Sequence, residues 1–313
     1  MRPNPPRDSH TPARHTKDQP TFGEYSLDLQ SWRHTTYRRF ATARRVRVLR
    51  ENLHTMFPDI SDRQLDHLTV RCTRQVLLRF CEFFTPSSSR TRSGSSRVSI
   101  ANPERLARGQ GAVVVTAHMA CPILAAYWIA ENYGPVSLVS YTNNRYPKVR
   151  LYPSRRTRQV RFSNGRDLRQ ISVLRERLAR NEFVLAMPDT QTPPHGGVEV
   201  RFFRQRTRML AGPALLALQA GVPLNPLTLW HDGSSVMHGE IHHAVRISTH
   251  GTVQERATQA IQEVADVFEK AITRHPDSWA LFKPLWPSAI GHKSGQAATD
   301  TQRSQPDTPL APR

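Results

Sequence analysis

Apolar positions along the chain fall into two regimes. From Trp32 to Leu53, Phe40, Ala43, Val46, Leu49 and Leu53 recur at three- and four-residue steps within an arginine-rich stretch, which predicts an amphipathic helix with a strongly cationic second face. Pro58 closes that helix. Ser61 with Gln64 three residues on reads as a capping box opening a second helix, on which Leu65, Leu68, Cys72, Val76, Phe80 and Phe83 share a face. Thr85-Pro86-Ser87-Ser88-Ser89 and the Ser, Arg and Gly residues up to Ser96 then read as a solvated linker.

The pattern changes at Ala112-Val113-Val114-Val115-Thr116, a short β-branched run of the kind buried in the middle of a parallel sheet, with a helix expected after it. Residues 136–140, 183–187 and 224–229 read as further strands. Helical patterns lie between them at 168–180 and 213–220. A last helix over 253–273 carries Val253, Ala257, Ile261, Val264, Phe268 and Ile272 on the face expected to pack on the sheet. Such alternation predicts an α/β fold, a mainly parallel central sheet flanked by helices behind an N-terminal helical segment. The implied organisation is a disordered tail at 1–20, a helical segment and linker at 21–96, the α/β domain at 97–287 and a disordered tail at 288–313.

Charge adds the sign of a partner. The 313 residues hold 44 Lys and Arg against 25 Asp and Glu, a net +19, which favours acidic partners: an anionic membrane surface, an acidic carrier protein or a nucleic acid. Few aromatics interleave with the arginines, so a base-stacking surface, and with it nucleic acid, is disfavoured. Cys72, Cys81 and Cys121 lack paired spacing and read as buried thiols in a reducing compartment. Neither a signal-peptide core nor a run near the roughly 18 apolar residues of a membrane span is present, so a cytoplasmic location is expected, with a peripheral position on the inner membrane face left open.

Ligands of an open parallel sheet bind beyond the carboxyl ends of its strands, which singles out His118 and Asp189, just past Thr116 and Met187. An imidazole there suits a general base, and Asp189 suits orienting it or binding a polar substrate; a helix-entry histidine and a turn cap are the structural alternatives. Cys121 is a less favoured nucleophile candidate. The run Arg145, Arg150, Arg155, Arg156, Arg158, Arg161, Arg166 and Arg169 suits phosphate, or a plain solvated face. His231, His238, His242, His243 and His250 gather in a hairpin-like stretch without acidic or thiol company, so no metal is expected, and no cofactor. Nucleophile-elbow and phosphate-loop motifs are absent.

Several blocks recur in a familiar order: Arg44-Arg45 to Asn52-Leu53, Phe57-Pro58-Asp59-Ile60-Ser61, Thr116-Ala117-His118, Tyr141-Thr142-Asn143-Asn144 with Arg155-Arg156, then 183–189 and 198–203. Ala211-Gly212-Pro213-Ala214, Gly221-Val222-Pro223 and His275-Pro276-Asp277-Ser278-Trp279 complete the series. Over about residues 40–287 this resembles the bacterial lipid A late acyltransferase family, which acylates a phosphorylated glycolipid from acyl carrier protein, together with phosphatidylinositol mannoside acyltransferases. The resemblance implies His118 as the catalytic base, and Arg155, Arg156 and Asn144 as the block that contacts phosphate on the acceptor or on the donor's phosphopantetheine arm. It also implies a glycerol-3-phosphate-acyltransferase-like fold and an acyl carrier protein or acyl-CoA as donor.

Three features depart from that family. Its histidine is followed, after four intervening residues, by Glu or Asp, whereas His118-Met119-Ala120-Cys121-Pro122 runs into Ile123. The same spacing does occur from His54 to Asp59 and from His250 to Glu255, away from the first strand. The N-terminus is polar where the family carries an anchor, and Lys283-Pro284-Leu285-Trp286 replaces the usual ending. Three routes around the missing acid stay open: Asp189 reaches His118, the acceptor is an amine, or Cys121 takes the acyl group first. The expectation is transfer from a carrier-protein or CoA thioester to a hydroxyl or amine, repurposed for specialised-metabolite assembly. A glycolipid acyltransferase at the membrane surface and a non-catalytic basic membrane- or partner-binding protein are the alternatives.

Overall fold

The computed structural model describes residues 43–84, 98–141, 157–162, 168–190, 197–233 and 236–286. They all lie in one of the chain's two compact units, His34–Arg313. The start of the first predicted helix, the linker at 85–96, both tails, Asn144, Arg155 and Arg156 lie outside the described residues, as do the side chains of Val76, Phe80 and Phe83.

Helices α1 (Ala43–Met56) and α2 (Asp62–Phe84) meet at Pro58, and α2 opens with the anticipated box: the Gln64 amide donates to Ser61 Oγ at 3.3 Å and the Ser61 amide to Gln64 Oε1 at 3.0 Å. The buried face of α1 is not quite the one its periodicity suggests. Ala43 is exposed and Val46 half-buried, while Val48, Leu49, Asn52, Leu53 and Met56 point inward. A polar Asn52 at 3% exposure on that face has a use described below. The other face is partly neutralised, because Arg50 bonds Asp62 and Asp66 of α2, each at 2.6 Å.

The sheet follows. Its strands are β1 (Val98–Ala101), β2 (Ala112–Val115), β3 (Val136–Tyr141), β4 (Thr157–Phe162), β5 (Phe183–Ala186), β8 (Leu224–His231) and β9 (Met237–Ile241), in the order β1-β9-β8-β2-β5-β3-β4. Every pairing is parallel except β8 with β9. Strand β2 lies between β8 and β5 with all four residues buried, which is why its sequence is apolar without alternation. Helices α3 (Pro122–Asn132), α4 (Leu168–Ala179), α5 (Gly212–Ala220) and α6 (Val253–Arg274) pack around it, α6 burying Ala257, Ile261, Val264, Phe268 and Ile272 as its pattern anticipates. The α/β class and the mainly parallel sheet read from the sequence are those of the structure. Gly111, entering β2, admits no side chain: a Cβ there would sit 2.6 Å from the Leu178 carbonyl oxygen and 2.8 Å from that of Glu182.

Four strands were legible as strands; β1, β4, β9 and a separate hairpin were not read as such. The hairpin pairs β6 (Gly197–Phe202) with β7 (Gln205–Leu210) and lies along α6, where Gln262 bonds the Arg201 amide at 2.8 Å and its carbonyl at 2.9 Å. Its two-residue turn holds Phe203 and Arg204 at φ 50° and 61°, a left-handed pair usually given to Asn and Gly. Packing explains the exception, since the buried Phe203 ring meets Phe57 edge-on at 5.6 Å and Phe202 at 4.8 Å.

Candidate active site

Strands β2 and β5 run parallel and in step, Ala112 opposite Phe183 through Val115 opposite Ala186, so their carboxyl ends coincide. His118 stands three residues past one end and Asp189 three past the other. They meet. His118 Nδ1 lies 2.7 Å from Asp189 Oδ1, and the His118 backbone amide donates to Asp189 Oδ2 at 2.7 Å. The carboxylate is fully buried while the imidazole is 30% exposed. An ionised carboxylate only accepts, so the contact places the ring proton on Nδ1 and leaves the lone pair on Nε2.

A third donor comes from far along the chain: Trp279 Nε1 reaches Asp189 Oδ2 at 3.0 Å. The strap that carries it, residues 275–286, is paired to the histidine loop itself. Met119 and Trp279 form an antiparallel bridge, the Ala120 amide donates to the Ser278 carbonyl at 2.7 Å, and the Ala280 amide to the His118 carbonyl at 3.0 Å. That pairing holds Ala120 at φ 45°, a left-handed strain tolerated where neighbours over-determine the backbone. With the Met119 amide on the Ala117 carbonyl at 2.6 Å, the amides of His118, Met119 and Ala120 are all engaged, on Asp189, Ala117 and Ser278 in turn.

The N-terminal helices hold the strap from its other side. Asn52 Nδ2 donates to the carbonyls of Leu281 and Lys283, each at 2.9 Å, and its Oδ1 accepts from the Leu285 amide at 3.1 Å. Arg71 pairs with Asp277, and Cys72 Sγ donates to the Pro276 carbonyl at 3.4 Å. Burial pushes the Cys72 thiol well above its usual range, so it is not a reactive thiolate.

The other residues singled out from sequence divide. Ile123, where the family motif has an acid, lies in the first turn of α3 behind Pro122, and the carboxylate beside His118 comes instead from the loop after β5. Cys121 is buried as the cap residue before α3. Glu255 closes a capping box with Thr252 at the start of α6, which accounts for its place after His250. His242 Nε2 meets Thr228 Oγ1 at 2.9 Å; contrary to the expectation that this stretch lacks acidic company, His238 pairs with Asp232 at 2.9 Å, though among the described residues no group of three metal-ligating side chains forms. Arg158 and Arg161 lie in β4; Asn144, Arg155 and Arg156 fall outside the described residues. Trp279 is the residue sequence reasoning noted only as part of a motif, because no local pattern announces a contact across 90 positions.

The family model for bacterial lipid A biosynthesis acyltransferases matches residues 31–288. The chain belongs to that family. Among curated relatives of this acyltransferase-family chain, the phosphatidylinositol mannoside acyltransferase of Mycolicibacterium smegmatis is 32% identical over 187 residues, 57% of this chain and 57% of that protein. Its namesake in Mycobacterium tuberculosis is 32% identical over 184 residues, 58% of this chain and 56% of that one. The matched stretch thus spans a little over half the length of these relatives. The crystal structure of the 1-acyl-sn-glycerophosphate acyltransferase from Thermotoga maritima aligns with a TM-score of 0.37 at 15% identity, over 72% of this chain and 90% of that one. Among the described residues, no helix is long and apolar enough to cross a membrane.

Proposed function

We propose that the chain transfers an acyl group from a thioester, on acyl carrier protein or coenzyme A, to a hydroxyl or amine of a polar-headed acceptor, with His118 as general base and Asp189 orienting it. One observation carries this: a part-exposed imidazole held at 2.7 Å through Nδ1 by a carboxylate with no exposure at all. Nε2 takes the proton of the acceptor, the acceptor oxygen or nitrogen bonds to the thioester carbonyl carbon, the carbon–sulfur bond breaks, and the leaving thiolate takes the proton from Nε2. Asp189 stabilises the imidazolium in between, so the route in which Cys121 is acylated is not needed.

Arg155, Arg156 and Asn144 are proposed to hold phosphate on the acceptor or on the donor's phosphopantetheine arm, through guanidinium forks that match phosphate oxygens. The net charge of +19 supports work at an anionic membrane surface and on an acidic donor protein. The names of the relatives favour a glycosylated phospholipid acceptor over a specialised metabolite.

The test is incubation of the purified chain with acyl carrier protein thioesters or acyl-CoA, together with a mannosylated phosphatidylinositol, and mass spectrometry of the product. The expected result is one added acyl chain, with the rate in His118→Ala down about a thousandfold. Undiminished transfer by His118→Ala overturns the mechanism. Salt-sensitive liposome binding without turnover replaces it with the binding-only reading.

A further inference from the structure

We infer that Trp279 is a positioning residue that acts through Asp189; this deepens the proposed dyad and rests on it. The reason lies in how the donors to the carboxylate are divided. Two of the three, the Nδ1–H and the backbone amide, belong to His118 itself, each at 2.7 Å. The first sets the carboxylate relative to the imidazole ring and the second ties it to the main chain of the histidine loop, so neither reaches beyond His118. The indole N–H, at 3.0 Å on Oδ2, is the donor from outside the pair.

Rotation of the carboxylate about its Cβ–Cγ bond is a broad, soft motion on its own. Here it would break two bonds on Oδ2 as well as the one on Oδ1, so the indole keeps Oδ1 aimed at Nδ1. The indole is itself held. Trp279 has no exposure, its backbone bridges Met119, and its neighbours Asp277 and Pro276 are tied to Arg71 and Cys72 of α2. The C-terminal strap and the N-terminal helices thereby set the angle at which the base presents Nε2.

A double-mutant cycle tests this, with Trp279→Phe, Asp189→Asn and the pair measured in the thioester assay. Loss of one hydrogen bond to a charged group should lower kcat about tenfold in Trp279→Phe, with KM for the thioester within about twofold. In the Asp189→Asn background the same change should alter kcat by less than about twofold. Replacing Trp279 by 3-benzothienylalanine, which exchanges the ring N–H for sulfur at nearly constant shape, should reproduce the loss with the melting temperature kept. The downfield Nδ1–H proton signal of His118 should move in both single Trp279 variants and vanish in Asp189→Asn.

Equal losses in both backgrounds, or none from the benzothienyl variant while Asp189→Asn stays impaired, overturn the role given to Trp279 and leave the dyad standing. An unimpaired Asp189→Asn overturns the dyad itself.

Discussion

Histidine meets aspartate in two places in this molecule, at nearly the same distance and with different surroundings. At the mouth of the sheet His118 Nδ1 lies 2.7 Å from Asp189, whose carboxylate is wholly enclosed. At the solvent edge where β8 ends and β9 begins, His238 Nε2 lies 2.9 Å from Asp232, whose side chain is 51% exposed. The edge histidine is steadied instead by rings, since both His238 and His275 stack on Trp230, at 6.0 Å and 4.8 Å between centroids. A solvated carboxylate is screened, keeps its rotamers and contributes about 1 kcal/mol at most. An enclosed one, with each oxygen assigned to a fixed donor, sets a proton on a particular nitrogen and keeps it there. Enclosure, more than distance, separates a pair that can orient a base from one that decorates a surface.

Substituting each aspartate in turn is the most direct way to break this contrast. Asp189→Asn keeps the size of the side chain but removes the charge that supports an imidazolium and lets an amide compete for Nδ1, so kcat should fall by about a thousandfold or more. Asp232→Asn should change it by less than about twofold and stability by less than about 1 kcal/mol. Steady-state transfer rates and urea midpoints for the two variants decide it; similar losses from both would erase the distinction.

The mouth also differs from the edge in being braced from another part of the chain, which gives a second, smaller effect. Asn52→Ala leaves two strap carbonyls and the Leu285 amide without the partner they now share, and buried groups stripped of partners destabilise by about 3 kcal/mol in sum. Urea denaturation should show that loss, whereas removing the exposed Asp232 pair should not approach it. Gly111→Ala should follow at about 2 kcal/mol, because its methyl group meets two backbone carbonyls that cannot swing aside.

Much of the mouth is legible in the sequence alone. Ala112–Val115 and Phe183–Ala186 are continuous apolar runs because both strands are buried on both sides, and parallel register alone brings the residues three beyond their ends together. What hid the edge was composition. Strand β9 reads Met-His-Gly-Glu-Ile and β4 Thr-Arg-Gln-Val-Arg-Phe; both are too polar to stand out, and in the second the arginines drew attention as a phosphate block. The β6–β7 turn was hidden by Phe203 and Arg204, since the left-handed pair is stabilised by the contact of Phe203 with Phe57 and not by turn residues. Asn52 and Trp279 lacked any signal of their own. A buried polar residue on an amphipathic face looks like an interruption until its partners, more than 200 positions away, are in view.

The smallest effect expected sharpens the comparison from the edge side, through pH. Burial, before any neighbouring charge, holds His275 and His242 below the usual 6.5, with Asp277 and Glu240 opposing it respectively. Below about pH 6.5 the unfolded chain therefore binds protons that the folded chain refuses, so this contribution to stability is whole above that value and drains away as pH falls through the lowered folded values. The urea midpoint should be lower at about pH 5.5 than at about pH 7.5. His275→Phe keeps a ring against Trp230 while removing one of the protons, and should narrow the gap between the two midpoints. Asp189→Asn changes neither of these histidines, so its gap should survive largely intact while its rate collapses. A gap that ignores His275→Phe would remove the stacked edge as a source of the pH sensitivity of stability and leave only the rate contrast to distinguish the two regions.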